Sequence, residues 1–353
     1  MTRMLLSLSF AGALLCAAVM GFAIQRGATC AVAAVSEITS SRSCKRLLAM
    51  AEASLYVCGG LLIAQRLRLL PAMPSGYPVD VLTVLGGALL GLGAYINGAC
   101  VFGAVARLGS GQWAYAATPI GYYVGCVGLL ALWPQAERQV LAATSPVWRA
   151  APLLTVLFLL FVGWRLLCPW LRARRKGARA RLEQRWHERV AARIWSPHHA
   201  TTMIGLAFLL LLLLAGAWSY TEVLAELARG GADMLPARAL LSLGLLAGAI
   251  LGGKSGGRLD GPGISFAQCL RCFTGGAIMG WGSLLIPGGN DGLLLVGMPL
   301  LWPYAWIAFG TMCVTIAFAQ WLQRQLGQSV ATPGALQEPD QSCCTGDSLK
   351  EKA

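Results

Sequence analysis

A transmembrane helix needs about 20 mainly apolar residues, and stretches of that kind recur along this chain. They lie at residues 4–24, 47–64, 79–96, 113–133, 151–167, 201–218, 237–252, 264–286 and 300–321. Their spacing leaves little room for anything but an all-α polytopic membrane protein, with about nine transmembrane helices. Composition agrees, since 56% of the residues are hydrophobic and only 12% charged, about half the charge of an average soluble domain. The first stretch follows Arg3 and has the look of a signal peptide. No small-x-small cleavage pattern ends it, however, and residues 21–30 read on as part of the fold, so it counts as a span.

Loop charge sets the expected orientation, because Lys and Arg are retained on the cytoplasmic side. Between the fifth and sixth stretches stand Arg172, Arg174, Arg175, Lys176, Arg179, Arg181, Arg185, Arg189 and Arg193 against Glu183 and Glu188. That loop belongs in the cytoplasm. Counting outward places the N-terminus outside and the C-terminus inside. It also puts Arg42, Lys45 and Arg46 inside and Glu222, Glu226 and Asp233 outside, with Arg66 and Arg68 as exceptions. The net charge of +13 comes largely from this loop, which is expected to set topology and meet anionic headgroups of the lipid bilayer. It lacks the interleaved aromatics of a nucleic-acid surface, so no nucleic-acid partner is expected.

The segment GGALLGLGAYINGACVFG at residues 86–103 returns as GGAIMGWGSLLIPGGNDG at residues 275–292. Gly86, Gly87, Ala88, Gly91, Gly93 and Gly103 are identical to Gly275, Gly276, Ala277, Gly280, Gly282 and Gly292, and Cys100 falls opposite Gly289. With the predicted orientation the two copies run in opposite directions, so the chain reads as two pseudo-symmetric inverted halves. Such a repeat, interrupted by glycine at matching places, points to a transporter whose substrate path lies between the halves.

The spaced glycines make close helix packing. They do not account for Gly27-Ala28-Thr29-Cys30, Asn97-Gly98 or Pro287-Gly288-Gly289-Asn290-Asp291-Gly292, where turn-forming residues interrupt apolar sequence. Irregular backbone at membrane depth survives only where protein buries it or it lines a cavity. These breaks therefore predict short re-entrant helices near residues 27–36 and 97–108 and a break near 287–292. Of the twelve cysteines, Cys16, Cys58, Cys126, Cys168 and Cys313 read as packing. Cys30 and Cys100 stand at the start of re-entrant helices, where backbone N–H groups favour a thiolate or an anionic ligand; packing and a functional role are equally open for this pair. Arg26 beside the first break, Arg107 after the second and Arg271 in the eighth stretch are the candidate cations, with Arg26 and Arg107 equally readable as helix-end topology charges.

Residues 21–34 (GFAIQRGATCAVAA), 93–112 (GAYINGACVFGAVARLGSGQ) and 270–292 (LRCFTGGAIMGWGSLLIPGGNDG) resemble the motifs of the YeeE/YedE family of sulfur transport proteins. The resemblance implies a bacterial inner-membrane protein with an hourglass-shaped path, in which thiols on re-entrant segments pass thiosulfate inward. Cys30 and Cys100 match two of the family's cysteine positions. The third, expected in a glycine-cysteine-asparagine run, falls on Gly289 in Gly288-Gly289-Asn290. The expected path residues are Cys30, Cys100, Gly289, Asn290, Arg26, Asn97 and Arg271, with Cys269 and Cys272 as auxiliary thiols, one of them a candidate to supply what Gly289 lacks.

The expected organisation is an N-terminal membrane half (1–168), a basic cytoplasmic loop (169–198), a C-terminal membrane half (199–323) and a disordered cytoplasmic tail (324–353). The expected ligand is a small sulfur-containing anion. Vicinal Cys343 and Cys344 in the tail would suit a cytosolic sulfur-carrier protein. No metal and no cofactor are expected, since Cys269-x-x-Cys272 lacks the second ligand pair of a zinc site. The competing readings are a membrane-embedded thiol or persulfide-handling protein, which would lack a nearby His because His187, His198 and His199 lie at the basic loop, a transporter of another sulfur or selenium compound, and a scaffold for a sulfur carrier.

Overall fold

The computed structural model describes residues 7–70, 73–134, 139–141, 144–175, 194–231, 235–257, 259, 261 and 263–327. Among these residues there are helices and no strand. The longer ones are α1 (Leu8–Gly27), α2 (Ala31–Ser41), α3 (Lys45–Arg66), α4 (Val81–Asn97), α5 (Val101–Gly109), α6 (Ala117–Leu132), α7 (Ala151–Arg175), α8 (Pro197–Ala215), α9 (Tyr220–Ala228), α10 (Leu235–Ser255), α11 (Phe266–Leu285) and α12 (Pro303–Gln325). A turn at Asn290–Gly292 and a π-helical segment at Leu293–Gly297 follow α11.

The local sequence explains most of these ends. Ser7, Ser196 and Ser219 accept from backbone N–H groups of the first turns of α1, α8 and α9, and Asp80 with Thr83 forms a reciprocal capping box on α4, so orphan donors are satisfied at these starts. α1 stops because Ala28 turns into the left-handed region and α4 because Gly98 does, the usual way to end a helix and redirect the chain.

Each of the nine apolar stretches falls on a helix. Seven helical stretches among the described residues are long and apolar enough to cross a membrane. An eighth is counted if α11 and residues 290–297, bent by 53° at the break, are one span. The remaining stretch, on α7, contains a shorter apolar helix at Ala151–Arg165. Short helices follow the first two breaks, α2 at Ala31–Ser41 and α5 at Val101–Gly109. α7 extends the fifth stretch to Arg175, so the loop drawn at residue 169 begins as helix. Most of the basic run, His187, Cys343 and Cys344 lie outside the described residues.

The two copies of the repeat meet. A Cβ built on Gly93 would lie 2.6 Å from the Gly275 carbonyl oxygen, and one on Gly282 would lie 2.6 Å from that of Gly86. Residue 86 thus faces 282 while 93 faces 275, and α4 and α11 cross antiparallel with backbone against backbone. In an apolar solvent no hydrophobic force drives helices together, so such close van der Waals approach is what holds them. The other glycines on these helices, Gly87 and Gly91, meet Ala308 and Met312 of α12, and Gly276 and Gly280 meet Thr118 and Tyr122 of α6. Around this pair, α1 lies against α8 and α10, and α3 against α8.

Gly282→Val would drive a branched side chain into the Gly86 carbonyl. The expected cost is roughly 1–3 kcal/mol, read as a lowered thermal midpoint of the purified protein in detergent; an unchanged midpoint would contradict the close crossing.

Candidate functional site

Cys30, Cys100 and Gly289 occupy the same structural position. Each is the N-cap of the segment after a break, in extended backbone: Cys30 before α2, Cys100 before α5 and Gly289 before Asn290–Gly292. Cys100 has φ −75° and ψ −179°, and Gly289 has φ −75° and ψ 178°. The pairing read from the sequence repeat is therefore a pairing of backbone conformation.

The segments that begin at these breaks expose N–H groups that need acceptors, and the acceptors come from one another. The Cys100 Sγ accepts from the Ala31 N–H at 3.1 Å, and the Cys30 Sγ accepts from the Cys100 N–H at 3.4 Å. The Asn290 Oδ1 accepts from the Val101 N–H at 3.3 Å, and the Tyr220 hydroxyl donates to the Val101 carbonyl at 3.1 Å. Gly103 makes room, since a Cβ there would lie 2.5 Å from the Cys30 Sγ. Cys100 and Asn290 are fully buried and Cys30 nearly so; both thiols are free.

Two openings approach this cluster from opposite ends of the bundle. A cavity of about 280 Å³ is lined by Tyr122, Thr221, Glu222, Arg229, Gly288 and Gly289, among others. A pocket of about 10 Å³ is lined by residues 27–30 together with Arg46, Met50, Pro197 and Thr201. Gly289 is on the wall of the first and Cys30 on the wall of the second; Asn290, next to Gly289, bonds the Val101 N–H, and Cys30 bonds the Cys100 N–H.

The polar residues predicted around the thiols are distributed unevenly. Asn97 is buried, donates from its Nδ2 to the Ala99 carbonyl at 2.7 Å and accepts from Thr118, so it fixes the turn that leads to Cys100. Arg26 is buried at the end of α1, bonded to Ser255 and lying over the Phe22 ring. Arg107 donates to the Gly98 carbonyl and lies over Tyr115, which ties it to the second break. Arg271, Cys269 and Cys272 are on the first turns of α11. Cys272 stands 13 residues of helix before Leu285, about 20 Å along the axis, so neither thiol substitutes for one at Gly289. Among the described residues no group of three or more His, Cys, Asp or Glu is placed to hold a metal.

Residues the sequence reading left aside shape the cavity. α9 carries Tyr220 and Thr221, and its nine residues with two glutamates read as an ordinary polar loop. The Thr221 hydroxyl donates to Asp291 Oδ1 at 2.5 Å. A Cβ on Gly289 would lie 2.5 Å from Thr221 Oγ1, so side-chain crowding, and not backbone strain, keeps this position glycine. The sequence also carries a run of phosphate-loop type, GAILGGKS at residues 248–255. Such a loop needs irregular backbone between a strand and a helix; here the run is continuous α10, and its Gly248 and Gly253 lie against the Ala18 and Gly109 carbonyls.

The family model for sulphur transport matches residues 26–318, from the arginine before the first break to the middle of α12. The chain belongs to the sulphur transport family. It is also 25% identical over 343 residues to the thiosulfate transporter TsuA of Escherichia coli (strain K12), a match that covers 88% of this chain and 93% of that protein. Family membership and several membrane-length apolar helices make this a membrane protein of a transporter family.

The thiol contacts separate two kinds of substitution in this family member. Cys100→Ala leaves the Ala31 N–H buried without its acceptor, at a cost of about 1–3 kcal/mol, whereas Cys100→Ser supplies another acceptor. The serine variant is expected to melt near the wild type and the alanine variant clearly below it. Equal melting of the two would show that the thiol cap carries no stability.

Proposed function

We propose that the protein is an inner-membrane transporter that takes up a sulfur-containing anion, thiosulfate before others, along Gly289, Asn290, Cys100 and Cys30. The observation that carries this reading is the meeting of three interrupted helices, through two thiols and one amide, between openings at opposite ends of the bundle. The similarity to a thiosulfate transporter supports the choice of anion.

Thiols suit the task because an S–H group is a weak donor and sulfur a weak acceptor, so an anion soft at sulfur is held without being trapped. Arg107, bonded two residues before Cys100, is the cation best placed to favour the anion, and Asn97 holds the turn. Arg26 and Arg271 serve farther from the thiols, at helix ends. The transporter reading is favoured over a thiol enzyme because His198 is engaged with Glu52 at 2.6 Å instead of a cysteine.

The reading extends to architecture. Nine spans with the N-terminus outside place the larger cavity at the outer face and Cys30 toward the cytoplasm. The contacts 86 with 282 and 93 with 275 follow the reciprocal pattern of a two-fold axis, which supports inverted halves at 1–168 and 199–323 around the basic loop at 169–198. The tail at 324–353, with Cys343 and Cys344, would meet a cytosolic sulfur-carrier protein.

Uptake of sulfur-labelled thiosulfate in cells lacking other sulfur importers tests the proposal. The wild type is expected to support uptake, and Cys30→Ser and Cys100→Ser each to lower it at least about tenfold, as loss of a path contact of ~1.4 kcal/mol would. Unchanged uptake in both variants would overturn the thiol path; no wild-type uptake would overturn thiosulfate and direct the test to other sulfur or selenium anions.

A further inference from the structure

Ser283, Thr221, Ser219 and Tyr122 are among the hydroxyl residues that line the larger cavity with Gly289, and the first three are engaged within the protein. Ser283 donates to the Gly280 carbonyl at 2.8 Å. Thr221 donates to Asp291. Ser219 pairs with Thr221 and accepts from the Glu222 N–H. The fourth, Tyr122, is 2% exposed and lines the same cavity; its hydroxyl stands beside Ser283 and Thr221, yet among the described residues nothing lies at hydrogen-bonding geometry to it.

Burying a phenol O–H without an acceptor is unfavourable. The position is nevertheless enforced, because a Cβ on Gly280 would lie 2.3 Å from the Tyr122 carbonyl oxygen, so α6 lies hard against α11. The same wall has no room for a thiol at 289, where a Cβ would lie 2.5 Å from Thr221 Oγ1 and 2.8 Å from Asp291 Oδ1. Net charge does not select an anion here, since Glu222 stands on the wall with Arg229 and Asp291 is buried just behind Gly289. A directed donor has to do so.

We infer that the cavity beside Gly289 recognises the oxygen atoms of a sulfur oxyanion through the Tyr122 hydroxyl, in place of the soft sulfur contact that a thiol at 289 would make. The inference rests on the proposed transport path and makes Tyr122 the residue that sets specificity at its entrance. A phenol is a stronger donor to oxygen than a thiol is, so oxyanions without a terminal sulfur gain access that a purely thiol-lined entrance would deny them.

Isothermal titration of the full-length protein in detergent with thiosulfate, sulfite and the oxygen-free hydrosulfide tests this. The wild type is expected to bind thiosulfate and sulfite and to bind hydrosulfide more weakly than either. Tyr122→Phe, which removes one oxygen and keeps the ring, is expected to weaken both oxyanions by about tenfold or more, the loss of a hydrogen bond to a charged acceptor, with its melting midpoint retained. Gly289→Cys combined with Thr221→Ala, in the Tyr122→Phe background, is expected to restore thiosulfate binding and not sulfite binding. Unchanged oxyanion affinity in Tyr122→Phe, or hydrosulfide binding tighter than sulfite in the wild type, would overturn the inference; should Tyr122→Phe fail to fold, the wild-type order of affinities decides alone. Wild-type binding without uptake in vesicles would sink the transport path and leave the oxyanion site, whereas uptake with a Tyr122→Phe affinity equal to the wild type would sink the site and leave the path.

Discussion

A helix that breaks inside an apolar medium leaves N–H groups that no water can satisfy, and this protein has three such breaks converging on one place. The acceptors it supplies are the Sγ atoms of Cys30 and Cys100 and the amide oxygen of Asn290. The groups that cap the backbone are the same groups proposed to touch the anion. Structure and path are therefore not separable by position, only by the chemistry of each side chain: a hydroxyl can cap where a thiol capped, but it is not soft.

The glycine crossing of α4 and α11 sets where these breaks lie. α4 runs from the capped Asp80 end to the turn at Asn97 and Gly98, and α11 runs the opposite way to residues 286–289. Because Gly93 faces Gly275 and Gly282 faces Gly86, the end of each helix emerges on a different side of the bundle. The break after α4 leads to Cys100 and the break after α11 to Gly289, and the Val101 N–H to Asn290 Oδ1 bond joins them. Bulk at the crossing would separate the two breaks as well as the two helices.

Much of this was legible in the sequence, and the rest was not for identifiable reasons. Hydropathy marks the long helices because a span must be apolar along its length, and turn residues mark the breaks because glycine and asparagine end helices in known ways. The equivalence of Cys100 and Gly289 was visible in the repeat and is matched by their backbone angles. By contrast, α9 is short and charged, so its Thr221 gave no sign of filling the space beside Gly289. Tyr122 sits in an ordinary apolar helix, and only the burial of its hydroxyl distinguishes it. Spacing also could not tell that Cys269 and Cys272 stand at the wrong end of α11, or that Arg26 is occupied by Ser255 and Phe22.

The central claim is that an anion passes the buried Cys100 and Cys30 pair. The most direct measurement is the alkylation rate of individual cysteines in the full-length protein in proteoliposomes, followed by mass spectrometry with and without thiosulfate. The account predicts that thiosulfate slows modification of Cys30 and Cys100 and leaves Cys58, buried on α3, unchanged. Modification of Cys30 and Cys100 that is indifferent to thiosulfate would contradict it.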